Sequence, residues 1–270
     1  MTTCRYFIML SFDGSHYSGW QVQRNAPGIQ SVVDRALSTL LRQEVLTTGA
    51  GRTDTGVHAR MFFAHFDCGH DLHQAELSHL TYKLNRMLPH DIAAHGIYRM
   101  HDGAHARFDA LSRTYQYWIC TKKDPFMHGR AWLMERGLDV HAMQEAAGLL
   151  LLHDDFSSFS KSGSQTRTKL CRVMQASWSV NDHLLVFEIK ADRFLRNMVR
   201  AITGTLVDVG LGKLKPPDVE TIIMARDRRK AGYSAPGHGL YLTAIEYPYA
   251  IEVITAAEQG GTGQTMSGLL

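Results

Sequence analysis

Two stretches of apolar alternation constrain this chain most. In residues 5–12, Tyr6, Ile8, Leu10 and Phe12 fall on one side of an extended backbone, and residues 113–120 alternate as strongly. A period of two is the mark of a half-buried strand. Between them lies helical spacing: Ile29, Val33, Ala36, Leu37, Leu40 and Leu41 within 29–42, behind Pro27-Gly28, and a second helix over 74–88 stopped by Pro89. The spacing predicts a third helix over 139–152 with Asp139 as its N-cap, a fourth over 194–209, and a short fifth opened by Pro216-Pro217. Further strands are expected at 45–49, 61–67, 92–99, 170–180, 184–191 and 240–247, with Asn181-Asp182 as a hairpin turn. Strands and helices mix without regular β-α-β order, and no fixed-period repeat is present. The expected class is therefore α+β with antiparallel sheet. A boundary near residues 100–110 divides the chain into lobes 1–104 and 105–250, and a Gly-, Thr- and Ser-rich tail, 251–270, is expected to be disordered.

Composition removes several classes. With 270 residues, 44% hydrophobic and 20% charged, the chain can bury a sizeable core and is neither disordered nor collagen-like. No apolar run approaches the roughly 20 residues of a membrane span. The run Tyr6–Phe12 is too short for a secretory signal and no small-residue cleavage site follows it, so a cytoplasmic location is expected. Cysteines 4, 68, 120 and 171 are far apart and form no CxxC, which argues against a disulfide framework. Fifteen histidines show no metal-protease or zinc-finger spacing, and Cys68–His73 offers at most an adventitious metal site. No Walker loop and no GxGxxG after a strand points to a nucleotide cofactor. The formal charge of +3 is too small to argue for nucleic acid alone, so the placement of the arginines has to carry that argument.

The densest chemistry is Gly51-Arg52-Thr53-Asp54-Thr55-Gly56-Val57-His58-Ala59, in a loop between two strand-like segments. Flanking glycines let the backbone turn tightly, and an Asp two residues from Arg52 is placed to act as a nucleophile or base beside a positive partner. The simpler alternative is an Asx-turn with a surface ion pair. Asp54-Thr55-Gly56 is also the tripeptide of aspartic proteases, but those need a second such carboxylate and this chain has no second DTG or DSG. In the next cluster, His105-Ala106-Arg107-Phe108 through Tyr117, the strand period puts Arg113, Tyr115 and Tyr117 on one face. Basic and aromatic groups together suit RNA phosphates and bases, while a face packed on the core explains them equally. In the third, Arg193–Arg200, helical spacing puts Arg196 and Arg200 on one face with Arg193 a turn earlier. These arginines form either a solvated face or phosphate contacts with one Arg turned to a carboxylate. Arg226 through Lys230 reads as a solvated basic run.

In combination these segments resemble the tRNA pseudouridine synthase A family. The resemblance is carried by Phe12–Gln21 (FDGSHYSGWQ), Gly51–Ala59, Asn85–Ile92 (NRMLPHDI), His105–Tyr117, Asp155–Phe159 (DFSSF), Phe194–Arg200 and Gly239–Leu242 (GLYL), in family order over about residues 5–248. The Asp54 loop is its most specific block. The resemblance implies two α/β lobes whose antiparallel sheets join across a central catalytic cleft. It implies isomerisation of uridine to pseudouridine in the anticodon stem-loop of tRNA, at positions 38–40, by a homodimer that needs no organic cofactor and no catalytic metal. The family's catalytic aspartate falls on Asp54, its active-site tyrosine on Tyr115, and the basic partner of the aspartate on Arg200. Substrate contacts fall on Arg52, on Ala104, His105, Ala106, Arg107 and Phe108, on Arg113, on Gly163, Ser164, Gln165, Thr166 and Arg167, and on Arg196. Three positions depart from the usual pattern: Thr55 where Ala is common, Ala104 where Phe is usual, and His238 before Gly239. The competing class is a non-catalytic tRNA-binding or folding protein on the same fold, which loss of Asp54, Tyr115 or Arg200 would mark. All three are present.

Overall fold

The computed structural model describes residues 3–23, 26–161, 163 and 168–251. The expected tail and the expected contacts Ser164, Gln165, Thr166 and Arg167 lie outside the described residues, apart from Ile251. The elements run β1 (Cys4–Phe12), α1 (Ile29–Leu41), β2 (Thr48–Gly49), β3 (His58–Cys68), α2 (Gln74–Met87), β4 (Ile92–Arg99), β5 (Ser112–Cys120), β6 (Trp132–Leu133), α3 (Val140–Leu149), β7 (Val173–Asn181), β8 (Leu184–Ala191), α4 (Met198–Gly210), α5 (Pro216–Ala225) and β9 (Leu240–Glu246). The α+β expectation holds, with a mostly antiparallel sheet and five α-helices among the described residues.

One sheet runs through the molecule in the order β4-β1-β3-β9-β5-β8-β7, with β2 beside β3 and β6 beside β5. The last strand in sequence is the middle strand in space. β9 pairs parallel with β3 (His58 opposite Tyr241, Ala59 opposite Leu242) and antiparallel with β5 (Tyr115 opposite Leu242). Two apolar cores flank this seam. One packs Tyr6, Ile8 and Leu10 with Phe62, Val33, Leu37 and Leu84. The other packs Tyr117, Ile119, Phe187 and Ile189 with Met143, Ile202 and Leu206. Complete burial of each such side chain contributes about 1.5–3 kcal/mol. Tyr115 touches both cores.

The element ends depart from the sequence reading for local reasons. The strand expected at 45–49 shrinks to Thr48–Gly49 because the backbone donors of Val45 and Thr47 are taken by the α1 side chains Ser38 and Asp34, at 2.9 Å each. α4 starts at Met198 rather than 194, because Asn197 sits at φ 68 and the Arg196 carbonyl accepts from Lys161 N–H instead of a helical donor. The 139–152 helix changes to a 3-10 turn at Leu150, while Asp139 caps it by accepting from Ala142 N–H at 3.0 Å. The β7–β8 turn is Asp182-His183, one residue later than expected, with Asp182 at φ 52.

Candidate active site

The loop 50–57 leaves β2 and re-enters the sheet at β3, so Asp54 stands four residues before the strand that β9 holds beside β5. Neighbouring segments fix it. Trp20 N–H donates to Thr53 Oγ1 at 2.9 Å, Gly56 N–H to the Tyr17 carbonyl at 3.3 Å, and Val57 N–H to the Asp54 carbonyl at 3.2 Å. Two distant glycines permit this closeness: a Cβ on Gly19, which sits at φ +90, would lie 2.1 Å from the Thr53 oxygen, and one on Gly237 would lie 2.4 Å from the Thr55 oxygen. Beneath the loop, the buried His58 ring accepts from Gly14 N–H at its Nδ1 (3.1 Å). Its Nε2 faces the His238 carbonyl at 3.0 Å, and the ring stacks on Tyr241. Burial lowers the pKa of this imidazole, against the pull of Asp13, whose Oδ1 lies 3.1 Å from Nδ1.

The Asp54 carboxylate points to the seam between the cores. Oδ2 is 3.3 Å from Arg200 Nη1 and Oδ1 is 3.9 Å from Arg196 Nε. The Asp54 and Arg200 side chains are 25% and 21% exposed, so the pair is shielded yet open to a ligand on one side, whereas Arg196 is 60% exposed. Arg200 is aimed by a second bond, Nε to the Ala235 carbonyl at 2.7 Å. Sequence spacing offered Arg52 as the positive neighbour. The ion pairs found instead join Asp54 to residues about 140 positions away, and they form because the αL turn at Asn197 lets Arg196, outside the helix, and Arg200, inside it, reach the same carboxylate.

Around this pair the expected residues separate by role. Tyr115 meets the Phe194 ring edge-on at 5.1 Å and lies within reach of the Asp54 charge. Burial pushes its phenol up to about 12, Arg113 pulls it down, and the Asp54 charge adds to the rise. Tyr117, on the same strand face, is instead a core residue whose hydroxyl donates to the Pro236 carbonyl at 2.8 Å. Arg52 and Arg107 are exposed and Arg193 half-buried. Burial lowers the Arg107 pKa, and the neighbouring charges of Arg52 and Arg193 add to this, which marks a concentration of positive charge. Phe108 is 74% exposed, tilted against the His105 ring at 4.2 Å, with the Arg107 guanidinium over it at 5.6 Å. Two expected contacts in this segment are corrected: Ala104 and Ala106 are fully buried in the N-terminal core, so their side chains cannot reach a ligand. His105 Nδ1 accepts from the backbone N–H groups of Arg107 and Phe108 and so shapes the turn that displays them. Arg113 faces four backbone carbonyls rather than solvent. Gly163 is exposed at φ +73. In the Arg226–Lys230 run, Arg229 pairs locally with Asp227 and Arg226 reaches across to Asp155.

The family model for tRNA pseudouridine synthase matches residues 146–248. The tRNA pseudouridine synthase A of Bacteroides fragilis is 48% identical over 252 residues, 93% of this chain and 99% of the relative. That of Porphyromonas gingivalis is 50% identical over 246 residues, 90% of this chain and 97% of its own length. That of Acetivibrio thermocellus is 38% identical over 242 residues, covering 89% and 98%. The chain belongs to the tRNA pseudouridine synthase A family. A pseudouridine synthase is an isomerase, and membership assigns that reaction class here. The family setting also shows which residues the sequence reading passed over. Gly19, Thr53, His58, Ala235 and Gly237 build the seat of Asp54: Gly19 lies in a segment read only as a marker of resemblance, Thr53 and His58 in the Asp54 loop without a role of their own, and Ala235 and Gly237 outside every segment singled out. Among the described residues, no three His, Cys, Asp or Glu side chains gather into a group able to hold a metal ion, and no helix is long and apolar enough to cross a membrane.

Proposed function

We propose that this chain isomerises uridine to pseudouridine in tRNA, in the anticodon stem-loop at positions 38–40, with Asp54 as the catalytic aspartate. The observation that carries the reading is the Asp54 carboxylate, seated by its loop, held by Arg200 at 3.3 Å and still a quarter exposed, with Arg196 at 3.9 Å on its other oxygen. The reaction breaks the N1–C1′ bond, turns the uracil and joins C5 to C1′. N1 ends protonated and C5 loses its proton, so no redox partner or energy source enters. An ionised carboxylate serves each opening step: attack at C1′, attack at C6, or removal of the C2′ proton. Arg200 orients it. Tyr115 stacks on the extruded base, and its hydroxyl, held protonated by a pKa of about 12, relays the C5 proton by giving its own proton to the Asp54 carboxylate as it accepts the one from C5. Extrusion costs a few kcal/mol. Stacking of about 1–3 kcal/mol per base offsets it, with help from phosphate contacts by Arg52, Arg107, Arg193 and Arg196.

In this reading the lobes 1–104 and 105–250 form the two walls of the cleft and β9 its floor. His105, Arg107 and Phe108, with the segment Gly163–Arg167, grip the stem-loop. The working form is a cytoplasmic homodimer. The test is incubation of unmodified tRNA transcripts with the enzyme, followed by nucleoside mapping. Pseudouridine should appear at positions 38–40; its absence throughout the tRNA would reject the function, and its appearance only elsewhere would reject the site assignment.

A further inference from the structure

Arg113 makes an unusual set of bonds. Its Nη1 donates to the carbonyls of Ala110 at 3.1 Å and Asp192 at 3.0 Å, and its Nη2 to those of Ala50 at 3.0 Å and Arg107 at 2.6 Å. Four acceptors on one guanidinium all belong to the backbone, and none is a carboxylate. Ala50 opens the Asp54 loop, Arg107 and Ala110 belong to the segment that displays Phe108, and Asp192 immediately precedes Arg193. Arg113 itself lies two residues before Tyr115 on β5. Thus one half-buried side chain ties together the three segments that converge on the seam, from a point anchored in the strand carrying Tyr115.

We infer that Arg113 is a positioning residue: its planar fork sets the spacing of the Asp54 loop, the Arg107–Phe108 turn and the Arg193–Arg196 segment around Tyr115. The inference rests on the proposed catalytic role of Asp54 and Tyr115. Three chemical features support it. The fork presents two donors on each of two nitrogens in fixed directions, which the single ammonium of lysine cannot match. Carbonyl dipoles stabilise the cation without neutralising it, so its charge is felt at Arg107, where those of Arg52 and Arg193 also act. The three segments share few regular elements near the seam: loop 50–57, the turns at 104–110 and the irregular stretch 192–197 depend on such cross-links for their relative placement. A shift of about 1 Å in reacting groups can cost about 10²-fold in rate.

The experiment compares parent enzyme, Arg113→Lys and Arg113→Gln by single-turnover pseudouridine formation, tRNA affinity and thermal melting, with Asp54→Asn as reference. The expected result is a fall of about 10²-fold in the single-turnover rate for both variants, while each remains folded and binds tRNA within about 5-fold of the parent. Methylguanidinium at millimolar concentration should restore part of the rate to Arg113→Gln, and methylammonium should not. A parent-like rate for Arg113→Lys overturns the proposal, because charge alone then suffices. A large loss of affinity with an unchanged rate also overturns it and makes Arg113 a substrate contact. Variants that unfold, or whose loss equals their unfolded fraction, overturn it in favour of a purely structural cation. Failure of the underlying reading looks different: Asp54→Asn would then turn over like the parent.

Discussion

Replacing Gly19 by alanine tests how the scaffold controls Asp54 without touching any group of the reaction. Gly19 lies at φ +90, and its added Cβ would stand 2.1 Å from the Thr53 carbonyl oxygen and 3.2 Å from the Asp54 carbonyl carbon. Such contacts settle at 3.0 Å or more, so the loop must back away by about 0.9 Å, the difference of the two distances. The backbone conformation adds about 1–2 kcal/mol of strain for a residue with a Cβ. The retreat also stretches the bond from Trp20 N–H to Thr53 Oγ1 that aligns the loop. Total destabilisation should be about 1–3 kcal/mol, within what a domain of this size survives. Displacement of the carboxylate by nearly 1 Å should lower single-turnover rate by about 10²-fold. Affinity for tRNA should change little, since the exposed arginines stay in place. The assay is pseudouridine formation with enzyme in excess over tRNA, with a thermal melt and a binding titration on the same sample. Gly237→Ala pushes the loop from the other side, 2.4 Å from the Thr55 oxygen, and should give the same pattern. Parent-like rates in folded Gly19→Ala and Gly237→Ala would refute the claim that these glycines position Asp54.

Tyr115→Phe should bind tRNA like the parent yet release the C5 proton about 10²–10⁴-fold more slowly, measured as tritium release from C5-labelled tRNA; parent-like release would leave the ring with stacking alone. Acidification should destabilise the fold through His65, whose buried ring accepts from Ala106 N–H and has its pKa lowered by burial to about 4. A group depressed in the folded state takes up its proton first when unfolded, so stability falls as pH drops from about 6.5 toward 4, by up to about 3 kcal/mol. Urea melts of His65→Asn should lack that component, and identical acid profiles for parent and variant would count against it. Affinity for tRNA should fall with salt by about 0.7–0.9 log units per contacted phosphate per decade, with about 4–6 phosphates engaged, and a slope near zero would show that Arg52, Arg107, Arg193 and Arg196 are only a solvated face.

Much of the fold was legible because alternation and helical spacing are local signals: β1, α1, α2, β4, β5, β8 and β9 lie close to where the periodicity put them. The central position of β9 was not, since pairing partners leave no trace in a strand's own pattern. The ends that moved did so where tertiary partners took backbone groups, as Asp34 did at Thr47 and Lys161 at Arg196. At the site, the loop itself announced Asp54 by its residue types. Helical spacing singled out Arg196 and Arg200, about 140 residues distant, with one of them turned to a carboxylate; the resemblance made Arg200 the partner of Asp54 and Arg196 a substrate contact, whereas the fold brings both to the carboxylate, Arg200 at 3.3 Å and Arg196 at 3.9 Å. Gly51 and Gly56 drew notice by flanking Asp54, but a Cβ on Gly51 would meet nothing within 4 Å, while Gly19 and Gly237, on other segments, bear against the loop. Side-chain type likewise misled at Arg113: a basic residue on a strand suggests phosphate, and only the folded chain brings four carbonyls to it.

The most direct test of the account is Asp54→Asn, which keeps the size of the side chain and removes its charge. Nucleoside mapping of tRNA after prolonged incubation with excess variant should find no pseudouridine, while the variant melts like the parent and binds tRNA within several-fold of it. Pseudouridine at a yield near that of the parent would contradict the central claim that the carboxylate held by Arg200 starts the reaction.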